Sequence, residues 1–548
     1  MQQYLQHRLI DNLRKAIYGN TVFAALEECS RRAIKNPVVL KEYHEVLLFL
    51  CAYPWNAKVM QLAAEELQRL SQIIKKHHSN YRWQYTLSGS GLPFTELRCQ
   101  YSMELVNWLI NEFPGEIQPA EAEASPETIK QIFQVLLPGV EFEKSTHGEL
   151  NTWNRVRMLS GHYHNVAALK WLLKIFYQKK WPLLIKDQLY DNFHIYLNWM
   201  LKEGIHNRSF NRWPYITNTY YHTSFKKKVS SHSIIRQPLQ MPMALSAQQK
   251  SELLSVARIS LAFYYRETDP FTYADLSAVE LFDMGRGLQI ALLPMQAQRR
   301  LSLESYIGFM AFKNGVPVSY GGGWIFGHRC KIGVNIYPPF RGGESAWIFC
   351  QVLRLYYQQY TIHRFVVKPY QFGKGNPEGL KSGAFWFYYK LGFRPVNEKI
   401  KTIAANEWKK IKENRSYRTS LNILRSLTAC NKEWIVSKNP ALHPEAADLS
   451  SNITSMINRR FKGDRSKATQ VCKHELRSFL MPQKLTASIE VHNSVLENWA
   501  LLFASKPGIM RSKNVHRNQW LKLLWAKTKG SEKDYIMTLQ RHLGLFTG

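Results

Sequence analysis

Cysteine is scarce in this sequence and shows no pattern. Seven are spread over 548 residues, at positions 29, 51, 99, 330, 350, 430 and 472. None forms a Cys-x-x-Cys pair, so neither a zinc ribbon nor a disulfide framework is supported. Reduced thiols and a cytoplasmic location are the expectation. Long apolar runs are missing too. The longest, from Val46 to Tyr53, is far short of a membrane span, and the opening MQQYLQHRLIDNLRK lacks the apolar core of a signal peptide. Acidic residues are few: 41 against 73 lysines and arginines, a net charge of +32. Such an excess attracts polyanions, whether nucleic acid, an anionic membrane, phosphorylated cofactors or an acidic carrier protein, and does not choose among them.

What is present is globular material. Hydrophobic residues make up 45% and aromatic residues 13%, and the length calls for several domains. Residues 1–115 read as a helical domain, with Leu26, Leu40, Val46, Leu47, Leu50 and Leu62 at roughly helical spacing and Pro37 and Pro54 dividing the pieces. Residues 116–126, acidic and rich in Ala and Pro, read as a linker. Residues 127–245 read as a helical, aromatic-rich and basic region. His162 and His164 lie there without a third ligand nearby, and no metal is expected. The tract SFNRWPYITNTYYHTSFKKKVSSHS mixes aromatic and basic residues, which suits either a nucleic-acid strand or a polar loop packed over a neighbouring domain. Residues 399–548 read as a basic helical domain, with 27 lysines and arginines against 11 acids. Breaks are expected near Pro440, Pro444, Pro482 and Pro507, and Arg459-Arg460-Phe461-Lys462 and Arg511-Ser-Lys513 are compatible with phosphate contacts or an ordinary solvated face.

Residues 246–398 have mixed punctuation, which gives an α+β class overall. Ala247 to Tyr265 reads as a helix, and Met284-Gly-Arg-Gly287 as a turn between two strands. Tyr306 to Phe312 and Val316 to Phe326 read as strands joined at Asn314-Gly315, a pair that readily takes positive φ. Gly321 to Gly323 inside the second strand predict a bulge or the close approach of a ligand. A third strand, Lys331 to Tyr337, leads through Pro338-Pro-Phe-Arg-Gly-Gly-Glu-Ser-Ala into an amphipathic helix. A strand that ends in a glycine loop and opens a helix offers unpaired amides and a favourable dipole to an anion, and Arg341 adds charge. Then come a strand from Arg364, a loop to Gly383 and an aromatic helix.

Two motifs in this stretch resemble the GNAT-type acyl-CoA-dependent N-acyltransferase superfamily, over about residues 306–395. Ile336, Pro338 and Arg341 match the hydrophobic-x-Pro-x-x-Arg end of its central strand. Arg341 and Ala346 match the ends of its pyrophosphate loop, while Glu344 stands where the family usually has glycine. Ala384, Phe387, Tyr388, Lys390, Gly392 and Phe393 match its later helix in register. The resemblance implies a central mixed sheet. It implies acyl-CoA, acetyl-CoA or longer, as co-substrate, with Ile336, Arg341, Gly342, Gly343, Glu344, Ser345 and Ala346 at the donor. It also implies Tyr388 as the acid that protonates the leaving thiolate, with Glu378 a candidate base. The expected activity is acyl transfer from acyl-CoA or an acidic acyl carrier protein to an amine acceptor. The alternative is a nucleic-acid-binding protein on a degenerate form of the fold, which Glu344 favours.

Overall fold

The computed structural model describes residues 2–143, 150–414, 416–436, 445–480, 493–506 and 514–546. The breaks expected at Pro440, Pro444, Pro482 and Pro507, and the Arg511-Ser-Lys513 cluster, lie outside the described residues. The chain forms two units. The first comprises Met1–Ser224, Ser251–Thr272 and Lys313–Pro317; the second comprises Phe225–Lys250, Tyr273–Phe312 and Val318–Gly548. The five consecutive segments expected from composition are therefore regrouped, because compactness follows contacts that sequence order does not reveal.

In the first unit Asn36 and Asn56 start the helices Pro37–Ala52 and Ala57–Lys76. Their side chains accept from the amides of Val38 and Val59 at 2.8 and 2.9 Å, which satisfies two orphan donors. Strands β1 (Glu96–Cys99), β2 (Ile117–Ala122) and β3 (Ile195–Met200) form an antiparallel sheet in the order β1-β3-β2. The expected linker at 116–126 is thus mostly strand. Its composition resembles a spacer, yet Ile117 and Pro119 turn inward opposite Trp199 and Leu197 while Gln118 stays exposed. Ser125 then caps the helix Pro126–Leu136. Strands β1 and β3 likewise interrupt regions expected to be wholly helical.

A polar row lies inside this unit: Ser209 Oγ is 3.0 Å from His44 Nε2, and His44 Nδ1 is 3.9 Å from Glu45. It has the residue types of a nucleophilic triad. However, Ser209 and His44 are 3% and 1% exposed, and Arg208 holds Glu45 at 2.6 Å. Burial lowers the His44 pKa, so the imidazole is neutral, and the row acts as an internal tie.

The second unit is built on an eight-stranded mixed sheet, ordered β10-β11-β9-β8-β7-β6-β5-β4. The strands are β4 (Glu280–Asp283), β5 (Leu288–Leu293), β6 (Ser305–Lys313), β7 (Val316–Phe326), β8 (Arg329–Ile336), β9 (Arg364–Val367), β10 (Arg394–Pro395) and β11 (Lys432–Ile435). All nine positions of β6 are buried. Asn314 and Gly315 join β6 to β7 with φ of 46° and 78°, as that dipeptide predicts. Strand β11 lies beyond the boundary expected at 398, inserted between β9 and β10. Four residues, Lys-Glu-Trp-Ile, are too few to show a period within a helical stretch.

Gly321 to Gly323 make no bulge against β8, and the protein's own atoms crowd them. Pairing of β7 with β8 runs unbroken from Ser319 to Phe326. A Cβ at Gly321 would lie 2.2 Å from the Gly333 carbonyl oxygen, at Gly322 2.6 Å from the Tyr306 ring, and at Gly323 2.5 Å from the Tyr356 ring. The glycines make room for the protein's own backbone and rings.

The C-terminal helices Ala446–Phe461, Arg465–Leu480, Asn493–Ala504, Asn514–Thr528 and Glu532–Arg541 enclose Trp499, Phe503, Trp520 and Tyr535. Arg460, expected as a possible phosphate contact, pairs with Glu475, and Phe461 beside it is buried. Among the described residues no helix is long and apolar enough to cross a membrane.

Lys527 is 2% exposed, with its ammonium 3.9 Å from the Tyr535 ring centroid and 3.4 Å from the Glu304 carbonyl oxygen. Burial lowers its pKa from 10.5 to about 8, with Glu532 opposing and Arg300 assisting. Between those values the unfolded chain binds the extra proton, so stability rises with pH from about 8 to about 10.5 and carries the full penalty below 8. The rise is expected to reach about 3 kcal/mol. Urea denaturation across this range should show it in the native protein and lose most of it in Lys527→Met. Identical slopes would rule out Lys527 as the source.

Candidate active site

Strand β8 has different neighbours along its two edges. It pairs with β7 as far as Ile336, but with β9, its parallel neighbour, only through Arg329, Cys330 and Lys331 opposite Arg364, Phe365 and Val366. Strand β9 ends at Val367, one residue after the last of these pairs, while β8 continues to Ile336. Residues Pro338–Phe340 then make a turn, and the helix Ser345–Tyr360 opens after Gly342 and Gly343. The first bond of this helix runs from the Ile348 amide to the Glu344 carbonyl at 2.9 Å, and the Gly343 amide before it is bonded to the Phe340 carbonyl at 3.0 Å. Gly342 is exposed, and Ser345 and Ala346 are half-buried.

Arg341 reaches back to the Ile336 carbonyl at 3.4 Å, and its guanidinium pairs with Glu378. Two predicted site residues thus meet as an ion pair. Glu378 sits on the short helix Pro377–Lys381, positioned by the Asn376 cap. Both side chains of this pair are more than half exposed, which makes it weak and open to exchange with another anion.

Glu344 is the residue at which the sequence departs from the family loop. It stands at the N-cap position, but its side chain neither points to solvent nor makes a capping bond. It is 1% exposed, and its Oε1 accepts from Arg286 Nη2 at 2.7 Å and from the Lys226 amide at 2.9 Å. Arg286 stands in the Gly-Arg-Gly turn with φ of 54°, between Gly285 at 77° and Gly287 at 69°. That left-handed run, rare for a non-glycine residue, places the guanidinium beside the loop. The cations of Arg286 and Lys226 also lie 5.9 and 6.0 Å from the Trp347 ring centroid. The Glu344 charge is therefore neutralised inside the protein, and the exposed lysines Lys226, Lys227 and Lys228 are fastened next to the loop.

Tyr388 lies on the helix Ala384–Lys390, which Gly383 opens with φ of 66°. The ring is 2% exposed among Phe349, Phe372, Phe387 and Phe393, at centroid distances of 5.6, 6.4, 5.2 and 5.9 Å. Its hydroxyl donates to Gln371 Oε1 over a long 3.5 Å. Burial raises the phenol well above its usual pKa, so it stays protonated at any ordinary pH. Tyr389 faces elsewhere, under Arg394 and against Trp408. Lys432 of β11 is fully buried and donates to the Phe385 carbonyl, tying the sheet to the Tyr388 helix. Burial, aided by Arg394, pushes its pKa well down.

His162 and His164 are both exposed, and among the described residues no three His, Cys, Asp or Glu side chains are grouped to hold a metal ion. Sequence reasoning missed Arg286, Lys226 and Gln371. Arg286 had a signal in its flanking glycines, which mark a left-handed turn. The other two are placed by tertiary contacts alone. No protein-family model, curated protein or solved structure matches this chain.

Proposed function

We propose that the chain is an N-acyltransferase that uses acyl-CoA, with the donor entering along β8 beyond the end of β9. The observation that carries this reading is the stretch of β8 that outruns β9. Strand β8 runs on to Ile336 after its last pair with β9, which ends at Val367, beside an exposed glycine loop that opens a helix and with a buried phenol on the helix Ala384–Lys390. Unpaired strand edges suit the amides of a pantetheine arm. The amides of Ser345 and Ala346 at the start of the helix and the charge of Arg341 suit a pyrophosphate. The amine nitrogen would attack the thioester carbonyl, forming a C–N bond as the C–S bond breaks. The thiolate takes the Tyr388 proton, and the attacking amine releases a proton through water, which restores the phenol. Lys226 to Lys228 favour a polyanionic donor or acceptor. The nucleic-acid alternative draws on Glu344 as a departure in the donor loop; that carboxylate is paired with Arg286 inside the protein.

Ligand binding tests the proposal. Acetyl-CoA or a longer acyl-CoA should raise the melting temperature of the purified chain, and native mass spectrometry should find the complex. At a concentration of 100 Kd the stabilisation is expected to be about 2.7 kcal/mol. No shift with acetyl-CoA, longer acyl-CoA or acylated carrier protein would exclude the donor reading.

A further inference from the structure

Gln371 occupies the space between β8 and the Tyr388 hydroxyl. It stands in the Pro369–Phe372 turn that follows β9, with its amide bonded to the Lys368 carbonyl at 3.0 Å. One end of its carboxamide accepts from Tyr388 at 3.5 Å. The other end lies over Gly333 of β8, where a Cβ would come within 2.8 Å of Nε2. Gly333 is two residues past Lys331, where pairing with β9 stops. The side chain therefore covers the edge of β8 just past its last pair with β9, and the absence of a side chain at Gly333 makes its seat possible.

The geometry points to Gln371 as the residue that controls entry of the acyl donor, an inference that rests on the acyltransferase reading. A sulfur that takes the Tyr388 proton must come within hydrogen-bond distance of the phenol oxygen. The Gln371 carboxamide holds that place. The thioester can reach Tyr388 only after Gln371 swings away, and the Gln371 side chain is half-buried rather than enclosed. Its bond to Tyr388 is long, so little is lost when it leaves. A carboxamide is also a fitting occupant: it offers β8 and the phenol the same donor and acceptor groups as the amides of the arm that displaces it. Gln371 is accordingly a positioning residue that governs access, and it takes no part in proton transfer.

The test compares acetyl-CoA binding to the full chain in native form, in Gln371→Ala, in Gln371→Asn and in Gly333→Val. A site that is open about a tenth of the time binds about tenfold more weakly than one held open. Gln371→Ala is therefore expected to bind acetyl-CoA up to about tenfold more tightly, through faster association at an unchanged dissociation rate. Gln371→Asn, which keeps a shorter amide, should fall between. Gly333→Val should weaken binding in both the native and Gln371→Ala backgrounds, because its side chain fills the vacated space. A purely structural Gln371 would not produce opposite effects at the two positions. If the native protein binds acetyl-CoA and both Gln371 variants bind it equally or less tightly, control by Gln371 is refuted while the donor reading stands. If neither the native protein nor any variant binds, both fall together.

Discussion

Replacing Tyr388 with phenylalanine is expected to leave acetyl-CoA affinity within about twofold of the native value and to lower turnover by about 10²- to 10⁴-fold, the usual worth of a general acid. The two effects separate because the hydroxyl is the only group removed, and the ring keeps its contacts with Phe349, Phe372, Phe387 and Phe393. Stability should change little, since the hydroxyl has only a long bond to Gln371. The pH profile gives an independent check. Burial raises the phenol pKa, so the acid form persists above the usual value of 10.0, and Tyr388 should cause no loss of turnover on the alkaline side up to about pH 10. Steady-state kinetics with a thiol-release readout would report both. Unchanged turnover in Tyr388→Phe would dismiss it as the acid.

Replacing Arg286 with methionine is expected to destabilise the chain by about 3–5 kcal/mol, because it strips the main counter-charge from a fully buried carboxylate. Glu344→Gln should cost less: the amide oxygen still accepts from the Lys226 amide, and the Arg286 left behind is 17% exposed, compared with none for Glu344. Combining Arg286→Met with Glu344→Gln should recover much of the loss, as the buried charge is then gone. Because the same pair holds the start of the Ser345–Tyr360 helix, Arg286→Met should also weaken acetyl-CoA binding. Guanidinium denaturation and a double-mutant cycle measure the coupling. A coupling below about 0.5 kcal/mol would mean that the pair does not anchor the loop.

Much of the central fold was legible in the sequence because its signals are local. Asn314-Gly315 fixes a turn through backbone sterics, and Gly-Arg-Gly does the same between β4 and β5. Pro338 and the glycine pair end a strand and open a helix at the expected place. Strands β2 and β11 were not legible. Ile117–Ala122 carries too little apolar material to stand out, and Lys432–Ile435 is four residues long, so both are strands only because a neighbouring edge needs partners. The glycines of β7 misled for a related reason. A missing side chain shows that something approaches closely, but not whether it is a ligand or, as here, the rings of Tyr306 and Tyr356.

The loop from Arg341 to Ala346 and the helix bearing Tyr388 were both set by the sequence alone, since residue order, glycine spacing and helical register are properties of a short segment. What Glu344 does was not. Read in one dimension, its carboxylate is a negative charge in an anion loop. In three dimensions it is neutralised by Arg286, 58 residues earlier, and bonded to the Lys226 amide, 118 residues earlier. Gln371 is likewise an ordinary loop residue until the fold sets it between Gly333 and Tyr388. Electrostatic and steric terms depend on distance in space, and chain order does not carry that distance, so only the tertiary structure could assign these roles.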